Sequence, residues 1–364
     1  MATQNTSRQR STAAQRKRAK KKRNIAILVV EVLILALMLG VLWFVTRATD
    51  EETGIQKVEI PEEEIKVNDT VAENENLDKY RTIALFGLDS TVGDLEHNTR
   101  SDTIMIASVN SETKEVRLMS VYRDTYLNLG NDSYSKCNAA YAAGGPKQAI
   151  NMLNMNLDLN ISDFVAVGFK GVTDVVDALG GIYIDVDSAE LEHINNYQIC
   201  ISDNLKTTYT PVTETGYQLL DGIQATAYCR IRATAGDDFK RTERQREVLQ
   251  AILDEAQQLD AAKLTKIANN VFGNVYTSIE LTEIVSLLGD IASYELIDEG
   301  GFPTSDYLQT ATISGTGSSV ICTDLEAAVI EFHKTFFADE EYEVSQTLKE
   351  ISAEINKRTA SYIQ

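Results

Sequence analysis

The chain has 364 residues, enough for one to three domains with a sizeable core. Its 43% hydrophobic and 24% charged residues, four prolines, four cysteines and three histidines exclude collagen-like, wholly disordered, disulfide-scaffold and multi-histidine metal proteins. Residues 1–30 hold nine Lys/Arg and no acid, so the other 334 carry a net charge of −29, which excludes a basic surface for nucleic acid.

Residues 1–24 read as a basic cytoplasmic tail. Ile25–Val45 (IAILVVEVLILALMLGVLWFV) is an apolar run of 21 residues with one charge, Glu31. At 1.5 Å per residue it would span about 30 Å, the thickness of a bilayer core. The run is longer than the apolar region of a signal peptide, so an uncleaved transmembrane helix is expected. The cluster ending at Arg23 directs the N-terminus to the cytoplasm, leaving everything after the span extracytoplasmic. Glu31 either snorkels or faces a partner helix. Residues 46–79, polar and acidic, read as a stalk.

From Tyr80 strands and helices alternate. Thr82–Leu88 reads as a buried strand that ends in polar residues. Thr103–Val109 and Glu115–Val121 read as a hairpin. Pro146 to about Leu157 is an expected helix, Phe164–Phe169 a strand, and Lys170–Leu179 a helix closed by Gly180–Gly181. Ile182–Val186 and Thr226–Arg232 read as strands, and Asn195–Glu214 as an irregular surface insertion. Helices are expected over Thr242–Leu259, Thr282–Ser293 and Leu325–Phe337. This predicts one α/β domain over 80–338, an α-β-α layered fold with a central mixed sheet. A helical tail would follow over 339–364.

Three groups of residues could carry chemistry. Asp89 follows one buried strand and Asp102 opens the next. If those strands are antiparallel neighbours, the carboxylates converge at one sheet edge, and oxygen ligands suit a hard cation; a turn carboxylate and a cap is the plainer reading. Arg123 follows the strand EVRLMSV, and Arg230 and Arg232, two apart on a strand, would share a face. Their planar forks match phosphate, or they pair with some of the many acids. Arg241, Arg244 and Gln245 continue the apolar face of Val248 and Ile252 into the first turns of a helix. Cations there oppose the helix dipole, so a polyanion or Asp237, Asp238 and Glu243 should offset them. Cys137 and Cys229 read as buried thiols rather than a disulfide.

The words FGLDS, RSDTIMI, SVYRDTY, KCNAAYAAGG, DFVAVGFKGVTDVVDALGGIYIDV, GYQLLDGIQATAYCRIR and DDFKRTERQREVL occur in one order between Tyr80 and Ile252. Together with the single basic-flanked span they resemble the LytR-CpsA-Psr family of Gram-positive envelope proteins. Tyr122 stands where that family usually has proline. The resemblance implies a phosphotransferase of the cell membrane. It would move an anionic glycopolymer, such as teichoic acid or capsule polysaccharide, from undecaprenyl pyrophosphate to a peptidoglycan hydroxyl, with Mg2+ or Mn2+. It implies Asp89 and Asp102 as metal carboxylates, with Arg123 beside them in catalysis. Arg230, Arg232 and Arg241 would hold the pyrophosphate, with Arg100, Lys136 and Gln245 near the head group. A polyprenyl tail would need an apolar slot, which Ile150, Leu153, Phe164, Val167, Phe169, Val172 and Val176 could line, or these could be plain core. A pyrophosphatase, or an envelope regulator that binds the lipid without ligating, are the competing readings.

Overall fold

The computed structural model describes residues 56–90, 95–96, 98–232 and 237–363. The span expected at 25–45 lies outside them; among the described residues no helix is long and apolar enough to cross a membrane. In chain order the elements are β1 (Gln56–Lys57), α1 (Asp69–Ala72), β2 (Tyr80–Leu88), β3 (Ser101–Asn110), β4 (Glu115–Val121), β5 (Tyr126–Asn128) and β6 (Tyr134–Lys136). There follow α2 (Ala139–Leu157), β7 (Asp163–Val167), α3 (Phe169–Leu179), β8 (Ile182–Val186), α4 (Ser188–Leu205), β9 (Gly216–Leu220), α5 (Gly222–Tyr228) and α6 (Asp237–Gln257). The chain continues through α7 (Ala261–Val271), β10 (Val275–Thr277), α8 (Leu281–Gly289), β11 (Glu295–Phe302), β12 (Leu308–Ile313), β13 (Gly317–Cys322), α9 (Leu325–Phe337) and α10 (Gln346–Thr359).

Among the described residues a mixed sheet of seven strands runs in the order β1-β10-β7-β2-β3-β4-β11. Successive strand side chains point to opposite faces, and both faces of this sheet are used. Ala84, Phe86 and Leu88 of β2, Ile104 and Ile106 of β3, and Phe164 and Ala166 of β7 join the main core with α2, α9 and α10. The alternate residues look the other way, where α3 packs on β7 and α6 on β4 and β11. A second core joins Val176, the inner faces of β8 and β9, Ile194 and Ile201 of α4, and Val248 of α6.

Four expectations are corrected. Residues 226–232 are not a strand. Asp221 caps α5 with a reciprocal box to Gln224, and the chain turns after Tyr228. Residues 195–205 of the expected insertion belong to α4, which Asp187 caps together with Glu190, and only the part after Leu205 is irregular. The stalk does not extend to Lys79. β1 pairs with β10, and Val71 and Leu77 are core residues. Residues 339–363 are no separate tail, because Leu348, Ile351 and Ile355 of α10 are buried in the main core.

The junction of α9 and α10 carries a buried histidine. The His333 ring stacks on Tyr342, centroids 3.6 Å apart, and its Nε2 donates to the Leu157 carbonyl at 2.9 Å. Nε2–H therefore fixes the neutral tautomer, and buried Nδ1 has no partner. Burial lowers the His333 pKa to about 4, against which nearby carboxylates act more weakly. The folded value is the depressed one, so this contribution is complete above about pH 6.5 and is lost as pH falls towards 4. The free energy of unfolding should fall by roughly 2–3 kcal/mol more in the wild type than in His333→Gln between pH 7 and pH 4. Parallel curves for the two proteins would remove His333 as the cause.

Candidate functional site

β2 and β7 are parallel neighbours with Gly87 opposite Val167, and β3 is antiparallel to β2 with Leu88 opposite Ser101. Three chain ends therefore meet at one sheet edge. A Cβ at Gly87 would lie 2.7 Å from the Thr103 Cβ, so glycine is needed where the β2–β3 register shifts. Asp89 leaves β2 and Asp102 enters β3 at this edge, the convergence that an antiparallel pair predicts.

A cavity of about 760 Å3 opens here. Its polar end is lined by Asp89, Arg100, Asp102, Arg123, Arg230, Arg232, Arg241 and Gln245. The remainder is largely apolar: Leu85 and Met105 from β2 and β3, Val165 and Val167 from β7, Phe169 and Val172 from α3, and Val248 and Ile252 from α6. Counting back along α6 from Val248 and Ile252 to Arg241 and Gln245 thus finds one continuous face. Arg230 and Arg232 also arrive together, although from a turn after α5 rather than from a strand.

Other candidates lie elsewhere. Lys136 does not line the cavity; it sits in the β5–β6 hairpin with its ammonium 3.1 Å from Asp124. Val167, Phe169 and Val172 line the slot, whereas Ile150, Leu153 and Phe164 belong to the main core and Val176 to the second core. Strand alternation explains the split on β7: Phe164 faces α2, and Val165 and Val167 face the cavity. Arg244 is diverted to a buried ion pair with Glu190 at 2.7 Å. All four cysteines are free; Cys137 is buried, and Cys229, half-buried on the cavity wall, has its thiol pushed up to about 12 by burial.

The polar end is a network of aspartates and arginines. Asp102 accepts from Arg123 Nη1 and from Arg232 Nη2, each at 2.8 Å, and its carbonyl accepts from Arg241 Nη2 at 3.0 Å. Asp238 accepts from Arg123 Nη2 at 3.1 Å and lies 3.3 Å from Arg241 Nη1. The sequence offered Asp238 only as a counter-charge for the helix start; it is the second carboxylate of the cluster. Burial alone would raise its pKa, but Arg241, Arg123 and Arg232 hold it below the usual carboxylate range. Arg123 goes up: burial is overcome by Asp102 and Asp238. Arg241 goes the other way. It is 2% exposed, and burial, reinforced by Arg123 and Arg232, lowers its pKa to about 10 despite Asp238 and Asp102.

Its Nε and Nη1 have no hydrogen-bond partner, and neither does Oε1 of Gln245 beside it on α6. Buried donors without acceptors are costly. Arginines gathered against Asp89, Asp102 and Asp238, with buried guanidinium nitrogens that make no hydrogen bond, suit an anion with several acceptor oxygens, and the attached apolar slot suits a hydrocarbon.

The LytR_cpsA_psr family model matches residues 43–320. The chain belongs to the LytR-CpsA-Psr family. It is 34% identical over 245 residues to biofilm regulatory protein A of Streptococcus mutans, covering 61% of this chain and 58% of that one. It is 31% identical over 224 residues to the polyisoprenyl-teichoic acid–peptidoglycan teichoic acid transferase TagV of Bacillus subtilis, covering 60% and 52%. The chain thus spans little more than half the length of these curated relatives. A solved structure of the family protein YwtF (TagT) with bound octaprenyl pyrophosphate lipid matches with a TM-score of 0.53 and 20% identity, over 83% of this chain and 99% of that one. That likeness establishes the α/β fold with its central mixed sheet.

Asp89 and Asp102 line one cavity and offer only oxygen, but no group of three or more His, Cys, Asp or Glu is found among the described residues. Mg2+ is commonly held by one or two carboxylates together with substrate phosphates and water, so this pair fits it.

Proposed function

We propose that this family member is a phosphotransferase that moves an anionic glycopolymer from a polyprenyl pyrophosphate carrier to a peptidoglycan hydroxyl at the outer face of the cell membrane. The observation that carries this is the buried Arg241, whose Nε and Nη1 make no hydrogen bond, in a cavity that joins an apolar slot to a ring of arginines. The bound lipid described for YwtF (TagT) and the activity named for TagV support the same reading.

In the proposed reaction the acceptor hydroxyl oxygen bonds to the polymer-linked phosphorus. The bond from that phosphorus to the bridging oxygen breaks, and prenyl phosphate leaves. Arg123, Arg232 and Arg241 neutralise the oxygens on which charge collects. The hydroxyl proton goes to Asp89. Both Asp102 oxygens are engaged by arginines, whereas the Asp89 side chain is 56% exposed with Arg230 no nearer than 3.9 Å. A Mg2+ or Mn2+ on Asp89 and Asp102 would supply Lewis-acid charge to the phosphates. The segment 25–45 would anchor the chain, so that a lipid carrier reaches the slot from the bilayer.

The test is transfer by the full chain in detergent, with a polyprenyl-pyrophosphate-linked glycopolymer and peptidoglycan. Polymer should become covalently attached to peptidoglycan with equimolar release of prenyl phosphate. Release without attachment would mean a pyrophosphatase. Binding without release would mean a lipid-binding regulator, a role suggested by the name of the Streptococcus mutans relative.

A further inference from the structure

Five arginines line the cavity, and Arg123, Arg230, Arg232 and Arg241 among them are not held alike. Arg123 and Arg232 donate to Asp102 at 2.8 Å, and Arg241 lies 3.3 Å from Asp238. Arg230 is held by other means. Its nearest carboxylate oxygen, on Asp89, is 3.9 Å away. Its guanidinium carbon lies 4.2 Å from the centre of the Phe169 ring and 5.6 Å from that of Tyr197, and Nη1 is 3.9 Å from Cys200 Sγ. Tyr197 and Cys200 both come from α4.

We propose that Tyr197 is a positioning residue, which with Phe169 holds the Arg230 guanidinium by aromatic contact so that its N–H edge is kept for the ligand's lipid-side phosphate. The inference rests on the lipid pyrophosphate reading of the cavity and adds the device that presents one of its arginines. Stacking engages the faces of a guanidinium and hydrogen bonding its edge, so a clamped arginine stays a full donor. An arginine fixed by carboxylates has spent those donors, and an unclamped one must be ordered when the ligand binds. The place is also distinctive. Phe169 and Val172 belong to the apolar slot and Asp89 to the polar end, so Arg230 stands at their junction, where the first phosphate after a prenyl chain must lie. Tyr197 thereby acts on binding, while Asp102 and Arg123 act where bonds are made.

The experiment titrates full-length protein in detergent with farnesyl pyrophosphate as probe, for wild type, Tyr197→Ala, Tyr197→Phe, Arg230→Ala and the double variant Tyr197→Ala/Arg230→Ala. Tyr197 is half-buried, and unfolding midpoints check that each variant is folded. Tyr197→Ala should weaken binding about tenfold, and Tyr197→Phe, which keeps the ring, should restore it. In the transfer assay Tyr197→Ala should raise KM and leave kcat unchanged. The double variant should bind no worse than Arg230→Ala, because the tyrosine works only through the arginine. A wild type that binds while Tyr197→Ala binds equally well, or losses that add in the double variant, would overturn the clamp and leave the lipid reading standing. A wild type that does not bind the probe would overturn both.

Discussion

Arg241→Met should make the ligand-free protein more stable and inactive at once. The Arg241 side chain is 2% exposed, its Nε and Nη1 make no hydrogen bond, and its charge is disfavoured first by burial and then by Arg123 and Arg232. What it makes in return is one hydrogen bond to the Asp102 carbonyl at 3.0 Å and the Asp238 contact at 3.3 Å. Methionine fills a similar length without charge, and Asp238 keeps Arg123 and Arg232. Replacing a poorly compensated buried ion by an apolar side chain often stabilises. From the shift of the Arg241 pKa to about 10, a gain of about 1–3 kcal/mol is expected, visible as a higher thermal midpoint. Such a residue persists because its function requires it: an anion that accepts the spare N–H groups converts the strain into affinity. A lower midpoint for Arg241→Met would mean that the arginine is structural.

Asp102→Ala should lower transfer by about 10^3-fold or more in the polymer-transfer assay while leaving the chain folded. Its carboxylate orients Arg123 through one oxygen and Arg232 through the other. Without it Arg123, Arg232 and Arg241 share Asp238, with Asp124 3.9 Å from Arg123, and the cation proposed with Asp89 loses half its protein donors. Asp102→Asn separates these effects. The amide oxygen can still accept from one arginine, but the charge is gone, so transfer should remain near the alanine level. Farnesyl pyrophosphate binding should fall far less than turnover, because Arg230 and Arg241 remain. Wild-type transfer by a folded Asp102→Ala protein would remove Asp102 from both roles.

Much of the site was legible because strand and helix periods fix direction. The apolar run ending at Leu88 and the one beginning at Thr103 announced a strand pair, and with it the meeting of Asp89 and Asp102. The helical spacing 241, 245, 248, 252 placed a cation and an amide on the face of two aliphatic residues. Where reading failed, a local signal was outweighed. The alternation of Tyr228, Arg230 and Arg232 resembles a strand, yet Asp221 with Gln224 is a capping box that starts a helix six residues earlier. Residues 56–79 lack any period because they place single apolar side chains, such as Val71 and Leu77, into a core built by others. Phe164 and Val165 are equally apolar, so composition could not say which face of β7 meets core and which meets ligand. Tyr197 escaped notice because α4 looked like an insertion.

The most direct measurement is a crystal structure of this protein with a polyprenyl pyrophosphate bound. The diphosphate should lie between Arg230 and Arg241, accept from Nε and Nη1 of Arg241, and send its chain past Val167, Val172 and Ile252. A diphosphate bound away from Arg241, or a prenyl chain packed outside the slot, would contradict the assignment of this cavity to a lipid pyrophosphate.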